Sequence, residues 1–366
     1  MARKRKGVTI QVVQGMTLGT LLRVIARNGF RVDTPCLGRL AYLLVMGGFN
    51  SVLGACERFY NDRDFEAVEI NHPPLFIIGH WRSGTTHLHN LLNQDPSFTC
   101  PTAYQALFPH HFVFSQAGGP VFNLIAPETR PMDNVAFSAD APHEDEFALA
   151  GHSSVSPYLR VMFPVTGDNG YGEVDPHRIP REALEKWKNS LILFLKKLTL
   201  SEGKRAVLKS PPHLGRVALL LDMFPGAQFI HIVRDPYTVY SSTHKLWRDS
   251  FGRSHLQVPR PEDVDEMILS WYEELFRLFE QDRHLIPEGS LHEMKFEDLE
   301  AKPLETVEYA YQSLGLRGFH EVSPRILAYL DSIKAYKKNE HQLDKHHREK
   351  VGARWRTVFE RYAYKI

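Results

Sequence analysis

Several common protein classes are excluded by what this sequence lacks. It has three cysteines, Cys36, Cys56 and Cys100, without paired spacing, so neither a disulfide framework nor a zinc ribbon is expected. Its 44 Lys and Arg nearly balance its 43 Asp and Glu, so no field of one sign attracts nucleic acid. We therefore expect no nucleic-acid partner and a reducing compartment. An anionic ligand would need a local cluster of cations.

A secretory leader and a long apolar run are also missing. The basic first residues are not followed by an apolar core and a cleavage site, which predicts a cytoplasmic protein. Residues 40–56 are uncharged, but they include Asn50, Ser51 and three glycines and are shorter than the roughly 20 apolar residues of a span. Three interpretations stay open: a helix pair packed on the protein body, a peripheral membrane contact through residues 36–60, and a span.

After residue 70, short apolar runs alternate with helical patterns. The candidate strands are Leu75–Ile78, Ala206–Leu208 and Phe229–Val233, each apolar on both faces like the interior strands of a parallel sheet. Residues 181–198 carry one apolar helical face, which consists of Leu184, Trp187, Leu191, Leu195 and Leu198.

This alternation predicts an α/β fold. We expect a P-loop-like, doubly wound parallel sheet flanked by helices. Residues 1–70 form a predicted N-terminal helical extension, and residues 71–366 form the main domain.

A glycine-containing loop, residues 79–84, joins the first candidate strand to a helical pattern. Glycines let the backbone N–H groups at such a bend surround a phosphate. Walker-type loops place a lysine after the second glycine, but here that position is Thr85. His80, His87 and His89 also lack the spacing of usual zinc ligands. We therefore predict a phosphate site without Mg²⁺ and no metal site. Its candidate residues are Arg82, Ser83, Gly84, Thr85 and Thr86.

A second anion site is predicted where the third candidate strand ends. Arg234 follows that strand, at the edge where open α/β sheets bind ligands. Asp235 and Pro236 suit the start of the next helix. Ser242 lies two turns along it, about 9 Å from the start at 1.5 Å per residue. Arg234 and Ser242 could therefore bind one phosphate together.

Together these segments resemble the sulfotransferase superfamily, which transfers a sulfuryl group from 3′-phosphoadenosine 5′-phosphosulfate (PAPS). Residues 82–86 are similar to its 5′-phosphosulfate loop, and Arg234 with Ser242 to its 3′-phosphate pair. Residues 208–214 and 294–316 also resemble family segments. The likeness covers roughly residues 74–316 and is nearest to the bacterial-type and tyrosylprotein enzymes.

The sequence departs from the family pattern in two places. Phe296 stands where many members have a tyrosine, so that hydroxyl contact with the nucleotide is lost. The catalytic Lys-Thr-His of the cytosolic enzymes has no close copy, and Lys209–Pro211 is the nearest segment. Residues 345–356 are basic and could supply the late nucleotide-binding loop.

The resemblance implies in-line displacement at sulfur, with a base for the acceptor proton and cations for the leaving phosphate. We expect Lys209 at the bridging oxygen. Related enzymes use a glutamate from the region between the two nucleotide motifs, which favours Glu144 as base and Glu146 as second choice. A helix N-terminus rich in acid would also explain these glutamates. His213 and His87 stay open as bases.

The acceptor is not fixed by any motif. Aromatic side chains could wall an apolar pocket, although aromatics are usually core residues. These are Tyr104, Phe108, Phe112, Phe114, Phe122 and Tyr158. We expect a small-molecule, lipid-like or carbohydrate acceptor with a hydroxyl or amine, and a peptide tyrosine stays open. The alternatives for the whole chain are a P-loop kinase or NTPase and a non-catalytic adenosine-phosphate binding protein.

Overall fold

The computed structural model describes residues 11–129, 135–334 and 343–366, apart from the side chains of residues 168, 169, 201 and 202. The chain forms two compact units. We call residues 1–70, 101–203 and 245–264 the helical unit, and residues 71–100, 204–244 and 265–366 the sheet unit. The predicted boundary at residue 70 between an extension and a main domain stays a prediction.

Helices outnumber strands in the part of the chain that the structure describes. The strands are β1 (Leu75–Ile78), β2 (Phe98–Thr99), β3 (Arg205–Lys209), β4 (Gln228–Val233) and β5 (Leu291–Lys295). The first eight helices are α1 (Leu18–Arg27), α2 (Leu37–Ala67), α3 (Thr85–Leu92), α4 (Ala103–Leu107), α5 (Gly119–Ile125), α6 (Glu146–Ser153), α7 (Pro157–Met162) and α8 (Arg181–Glu202). The others are α9 (Val217–Met223), α10 (Pro236–Asp249), α11 (Pro261–Asp282), α12 (Phe296–Ala301), α13 (Pro303–Ser313), α14 (Phe319–Ser332), α15 (Lys345–Arg354) and α16 (Arg356–Arg361).

The sheet unit contains one five-stranded parallel sheet in the order β2-β3-β1-β4-β5. Ile77 of β1 lies opposite Lys209 of β3 on one side and Ile230 of β4 on the other. The carboxyl ends of β1, β3 and β4 therefore meet at one edge, where ligands bind in open α/β sheets. The predicted α/β class and parallel sheet are confirmed.

Both faces of the central strands are buried, which explains their apolar sequences. Leu75 and Ile77 point into a core that α3, α12, α13 and α14 share. Phe76 packs on the opposite face, where its ring stacks on Phe229 with centroids 5.6 Å apart. The three predicted strands match β1, β3 and β4 to within a residue. The periodic segment in residues 181–198 is helical and belongs to α8, as predicted.

The expected helix pair around residues 40–56 is wrong, because the structure has one continuous helix of 31 residues, α2. Gly47, Gly54 and Asn50 do not break it, since each meets a tertiary partner. A Cβ at Gly47 would lie 3.1 Å from the backbone of Leu18, so glycine permits close packing against α1. Asn50 Nδ2 donates to the carbonyl oxygens of Gln14 and Met16 at 2.8 and 2.9 Å.

Candidate active site

The loop of residues 79–84 needs glycine at two positions. A Cβ at Gly79 would lie 2.5 Å from the carbonyl oxygen of Ile232 in β4. Gly84 has a φ of 101°, and Arg82 has a φ of 70°, a conformation that side chains rarely adopt. Because α3 begins directly after Gly84, its first backbone N–H groups lie at this bend without intrahelical acceptors. That arrangement suits an anion.

Other side chains of the sheet unit hold the loop in shape. Ser83 Oγ donates to the carbonyl oxygen of His80 at 2.8 Å, and His80 Nδ1 donates to that of Trp81 at 2.9 Å. The Trp81 ring stacks on Trp271 of α11 at 5.4 Å, and the His80 ring meets Tyr272 edge-on at 4.9 Å. Burial lowers the pKa of His80 to about 3, so its ring is neutral near pH 7. The Ser83 hydroxyl, a predicted ligand contact, therefore donates within the loop in this conformation.

Arg234 lies directly after β4, at the predicted second anion site. Asp235 Oδ1 accepts hydrogen bonds from the backbone N–H and the hydroxyl of Thr238, both at 2.8 Å, so it caps α10 as expected. The guanidinium carbon of Arg234 lies 4.3 Å from the ring centroid of Phe296. Burial, and then the charge of Arg82, lowers the pKa of Arg234. The site thus holds two neighbouring cations, whose repulsion an anion would relieve.

The structure brings the two predicted half-sites into contact. Arg82 Nε donates to Ser242 Oγ at 2.8 Å, and Arg234 Nη1 donates to the carbonyl oxygen of Arg82 at 3.3 Å. We call Arg82, Arg234 and Ser242 the arginine cluster. Because the cluster adjoins the start of α3, guanidinium, hydroxyl and backbone donors converge on one region of the sheet edge.

Lys209 places an ammonium group at the same edge. It ends β3, is buried, and its Nζ donates to Thr86 Oγ1 at 3.5 Å. Its register opposite Ile77 explains this contact, because β1 continues directly into the loop. The loop lacks a lysine at Thr85, but a neighbouring strand supplies one beside the next residue.

Phe296 shows what replaces the missing tyrosine hydroxyl. A Cβ at Gly84 would lie 2.1 Å from Cδ2 of this ring, so the ring packs directly on the loop glycine. The same ring contacts the guanidinium of Arg234, in the geometry of a cation–π interaction. Phe296 therefore supports both halves of the site without a polar atom.

The predicted base candidates lie in the helical unit. Glu146 is buried at the start of α6, which fits the expected acidic helix N-terminus. Glu144 Oε2 accepts a hydrogen bond from the hydroxyl of Tyr158. A phenol that donates to Glu144 fixes the orientation of its carboxylate.

Four of the six predicted aromatic residues join one cluster in the helical unit. Ring contacts run from Tyr104 through Phe108 to Phe122, and from His143 through Phe147 to Tyr158. Phe137 links the two groups, with centroids about 6 Å from both Phe122 and His143. The remaining two lie elsewhere: Phe112 packs on Phe194, and Phe114 is exposed. The cluster thus leads to the carboxylate of Glu144 through Tyr158.

A sequence profile described as the sulfotransferase family matches residues 73–321. The chain belongs to the sulfotransferase family. It is similar to omega-hydroxy-beta-dihydromenaquinone-9 sulfotransferase Stf3 of Mycobacterium tuberculosis and Mycobacterium bovis, with 35% identity over 350 residues, 96% of this chain and 90% of the relative. These matches confirm the predicted family and show that the protein is an enzyme, which decides against the kinase and the non-catalytic alternatives.

Two solved structures share the fold of this sulfotransferase. STF1 from Mycobacterium tuberculosis superposes with a TM-score of 0.67 at 19% identity, covering 92% of this chain and 90% of that one. STF9 from Mycobacterium avium superposes with a TM-score of 0.60 at 16% identity, covering 96% and 98%. At these identities the likeness establishes the fold alone.

The other predicted residues are two histidines and the basic segment near the C-terminus, which lie outside the arginine cluster. His87 lies in the first turn of α3, and His213 is buried against Phe76 with ring centroids 5.4 Å apart. Most of the basic segment of residues 345–356 lies in α15, which packs on α10 of the sulfotransferase: the Arg348 guanidinium lies 4.0 Å from the ring centroid of Tyr237. Among the described residues, no group of three or more His, Cys, Asp or Glu could hold a metal ion.

Proposed function

We propose that this sulfotransferase takes PAPS as donor and sulfates a hydroxyl at the end of an apolar, lipid-like molecule. The observation that carries the donor assignment is the arginine cluster, where Arg82 Nε and Ser242 Oγ lie 2.8 Å apart beside Arg234. A nucleotide with two separate phosphate groups needs cations, a hydroxyl and helix amides in one region, and the sheet unit supplies all three. The buried ammonium group of Lys209 at this edge supports the same assignment.

Each group has a proposed role in one balanced step. The acceptor oxygen attacks sulfur, the bond between sulfur and the bridging oxygen breaks, and the acceptor proton passes to the Glu144 carboxylate. The leaving 5′-phosphate keeps the electron pair of the broken bond. Lys209 Nζ and the first amides of α3 stabilise that negative charge, because donors aimed at developing charge lower the barrier most. Arg234 and Ser242 bind the 3′-phosphate.

The acceptor class rests on the relatives. Stf3 is named for an omega-hydroxylated dihydromenaquinone, and it shares 35% identity across nearly the whole chain. In the helical unit, the half-buried ring of Phe147 packs on Tyr158, with centroids 5.0 Å apart, and offers apolar surface near the proposed base. We therefore propose an isoprenoid or other lipid alcohol rather than a sugar.

The donor assignment is tested by calorimetric titration with 3′-phosphoadenosine 5′-phosphate. S242A removes a hydroxyl expected to bind phosphate and should weaken binding by about tenfold to a hundredfold, the value of one hydrogen bond to a charged group. S241A is the matched control, since Ser241 Oγ donates to backbone carbonyl oxygens of its own helix. Equal affinities of the two variants would disprove the proposed phosphate site.

The base assignment has a separate test with labelled PAPS and a lipid extract as acceptor pool. E144Q keeps the shape of the side chain but cannot accept the proton, so turnover should fall by about a hundredfold or more while nucleotide affinity stays unchanged. E146Q serves as the comparison. Turnover of E144Q within about tenfold of wild type, 1.4 kcal/mol of barrier, excludes Glu144 as the base.

A further inference from the structure

Helix α2 is amphipathic in the opposite sense from a helix on a water-facing surface. Its buried positions include the polar residues Asn50 and Glu57, together with glycines. Large apolar side chains face outward instead: Val45 is 73% exposed, Phe49 52%, Val52 65% and Phe59 83%. Their spacing of three, four and seven residues places them on one helical face. The outer side of α2 is therefore apolar, and the inner side is partly polar.

Polar contacts within the helical unit fix which side of α2 faces outward. Glu57 Oε1 forms a buried ion pair with Lys197 Nζ of α8 at 2.5 Å, and Lys197 also donates to the carbonyl oxygen of Pro109 at 2.8 Å. Glu57 Oε2 accepts from the backbone N–H of Phe114 at 2.9 Å. Rotating α2 about its axis, or moving it into a membrane as a span, would separate this buried pair at a high free-energy cost.

The apolar surface continues beyond α2 onto the neighbouring segment. Phe122 of α5 points inward to the cluster that Met46 of α2 contacts. On the outer side of α5 are three more large apolar residues, each more than half exposed: Val121, Leu124 and Ile125. At the end of α2, Tyr60 stacks on the exposed ring of Phe114, with centroids 5.8 Å apart. We call the exposed apolar side chains of α2, Phe114 and α5 the apolar face.

The charge distribution identifies a partner for this face. The first 56 residues contain eight Lys or Arg and one acid, Asp33, whereas the rest of the chain has more acids than bases. Four of those cations fall in residues 1–10, outside the described residues. No acid occurs between Asp33 and Glu57, and Glu57 is buried. In sequence, the apolar face follows an almost purely cationic segment, a combination that matches an anionic lipid surface, which supplies both hydrocarbon and negative charge.

We propose that the apolar face binds the surface of a bilayer containing anionic lipids, with α2 lying in the interface. By length and composition, residues 34–67 could also cross a membrane, and only 22% of their most apolar window is buried. The buried ion pair of Glu57 with Lys197, however, holds the inner side of α2 on the protein. After Glu57 the exposed charges of α2 are mixed, Arg58 and Arg63 with Asp62, Asp64 and Glu66, so the cationic part of the match lies before Glu57. This inference does not depend on the proposed donor or acceptor.

Vesicle sedimentation tests the proposal. The full-length protein should sediment with vesicles of phosphatidylcholine plus phosphatidylglycerol, and less with phosphatidylcholine alone or in high salt. F49Q/V52Q should reduce the bound fraction by about tenfold or more, because it replaces two exposed apolar side chains that binding would bury in the bilayer. V258Q/L285Q is the matched control, since Val258 and Leu285 are also exposed but lie outside the apolar face.

Two further measurements keep the outcomes separate. Circular dichroism and binding of 3′-phosphoadenosine 5′-phosphate should be unchanged in F49Q/V52Q, which would show that the fold and nucleotide site are intact. The proposal is overturned if the wild-type protein does not bind anionic vesicles, or if F49Q/V52Q and V258Q/L285Q both bind them as well as wild type does. It is also overturned if light scattering shows a wild-type dimer that F49Q/V52Q lacks while vesicle binding is absent, because a second copy would then cover the face.

Discussion

Replacing Gly84 by alanine tests the geometry that joins the two halves of the nucleotide site. At a φ of 101°, an added Cβ costs about 1–2 kcal/mol from backbone strain. It would also lie 2.1 Å from the ring of Phe296, and overpacking of this kind costs about 1–3 kcal/mol more. G84A should therefore lower the free energy of unfolding by about 2–5 kcal/mol, measured by urea denaturation.

A matched glycine separates the two contributions. Gly289 also lies in the sheet unit with a positive φ of 76°, but nothing is within 4 Å of an added Cβ, so G289A should cost only the strain of about 1–2 kcal/mol. In the background of F296A, the further cost of G84A should fall to the same value. If G84A costs no more than G289A, or if Gly84 and Phe296 are coupled by less than about 0.5 kcal/mol, the ring does not pack on this glycine and our explanation of the site is refuted.

Three further predictions concern other contacts. Y158F removes the hydrogen bond to Glu144 and should lower turnover by about tenfold with unchanged nucleotide affinity; equal turnover would mean that the phenol does not position the carboxylate. Burial lowers the pKa of His110 to about 3 in the folded protein. As pH falls, the unfolded chain therefore protonates at this histidine before the folded protein does, so the stability that the neutral ring contributes is complete above pH 6.5 and is lost toward pH 3. When pH falls from 6.5 to 5, the free energy of unfolding of H110Q, measured by urea denaturation, should therefore decrease by about 2 kcal/mol less than that of wild type. Equal decreases in the two proteins would contradict a neutral ring at His110. D265N breaks an ion pair with Lys350 and should lower the free energy of unfolding by about 2 kcal/mol, seen as a lower midpoint of thermal unfolding. An unchanged midpoint would show that the pair contributes nothing to stability.

Runs of apolar residues in the sequence predicted the central strands of the sheet. β1, β3 and β4 are buried on both faces, so their apolar runs were readable. β2 has two residues, too few to show any period. β5 lies at the sheet edge and includes His292 and Glu293, so it lacks the apolar run of an interior strand. The continuity of α2 was missed because Gly47, Gly54 and Asn50 act as breakers in isolation but have tertiary partners here.

The candidate site also has parts that the local sequence predicts and parts that only the assembled sheet determines. The loop of residues 79–84 and the capped start of α10 follow from neighbouring residues, so sequence reasoning found them. The contacts of Arg82 with Ser242 and of Lys209 with Thr86 depend on which strands lie side by side, and strand order is not written in any local pattern. The use of the Phe296 ring was missed for the same reason, since only the assembled sheet brings it to Gly84.

The sheet order also affects how the chain folds during synthesis. Leu75 pairs with Val207, and residues 101–203 of the helical unit separate the two strands in sequence. During translation β1 therefore leaves the ribosome long before its neighbours β3 and β4 are synthesised. The backbone of β1 stays unpaired while more than a hundred further residues are made. During that interval β1 is exposed to aggregation, so production of this enzyme should depend on chaperones more strongly than that of proteins whose strands pair in order.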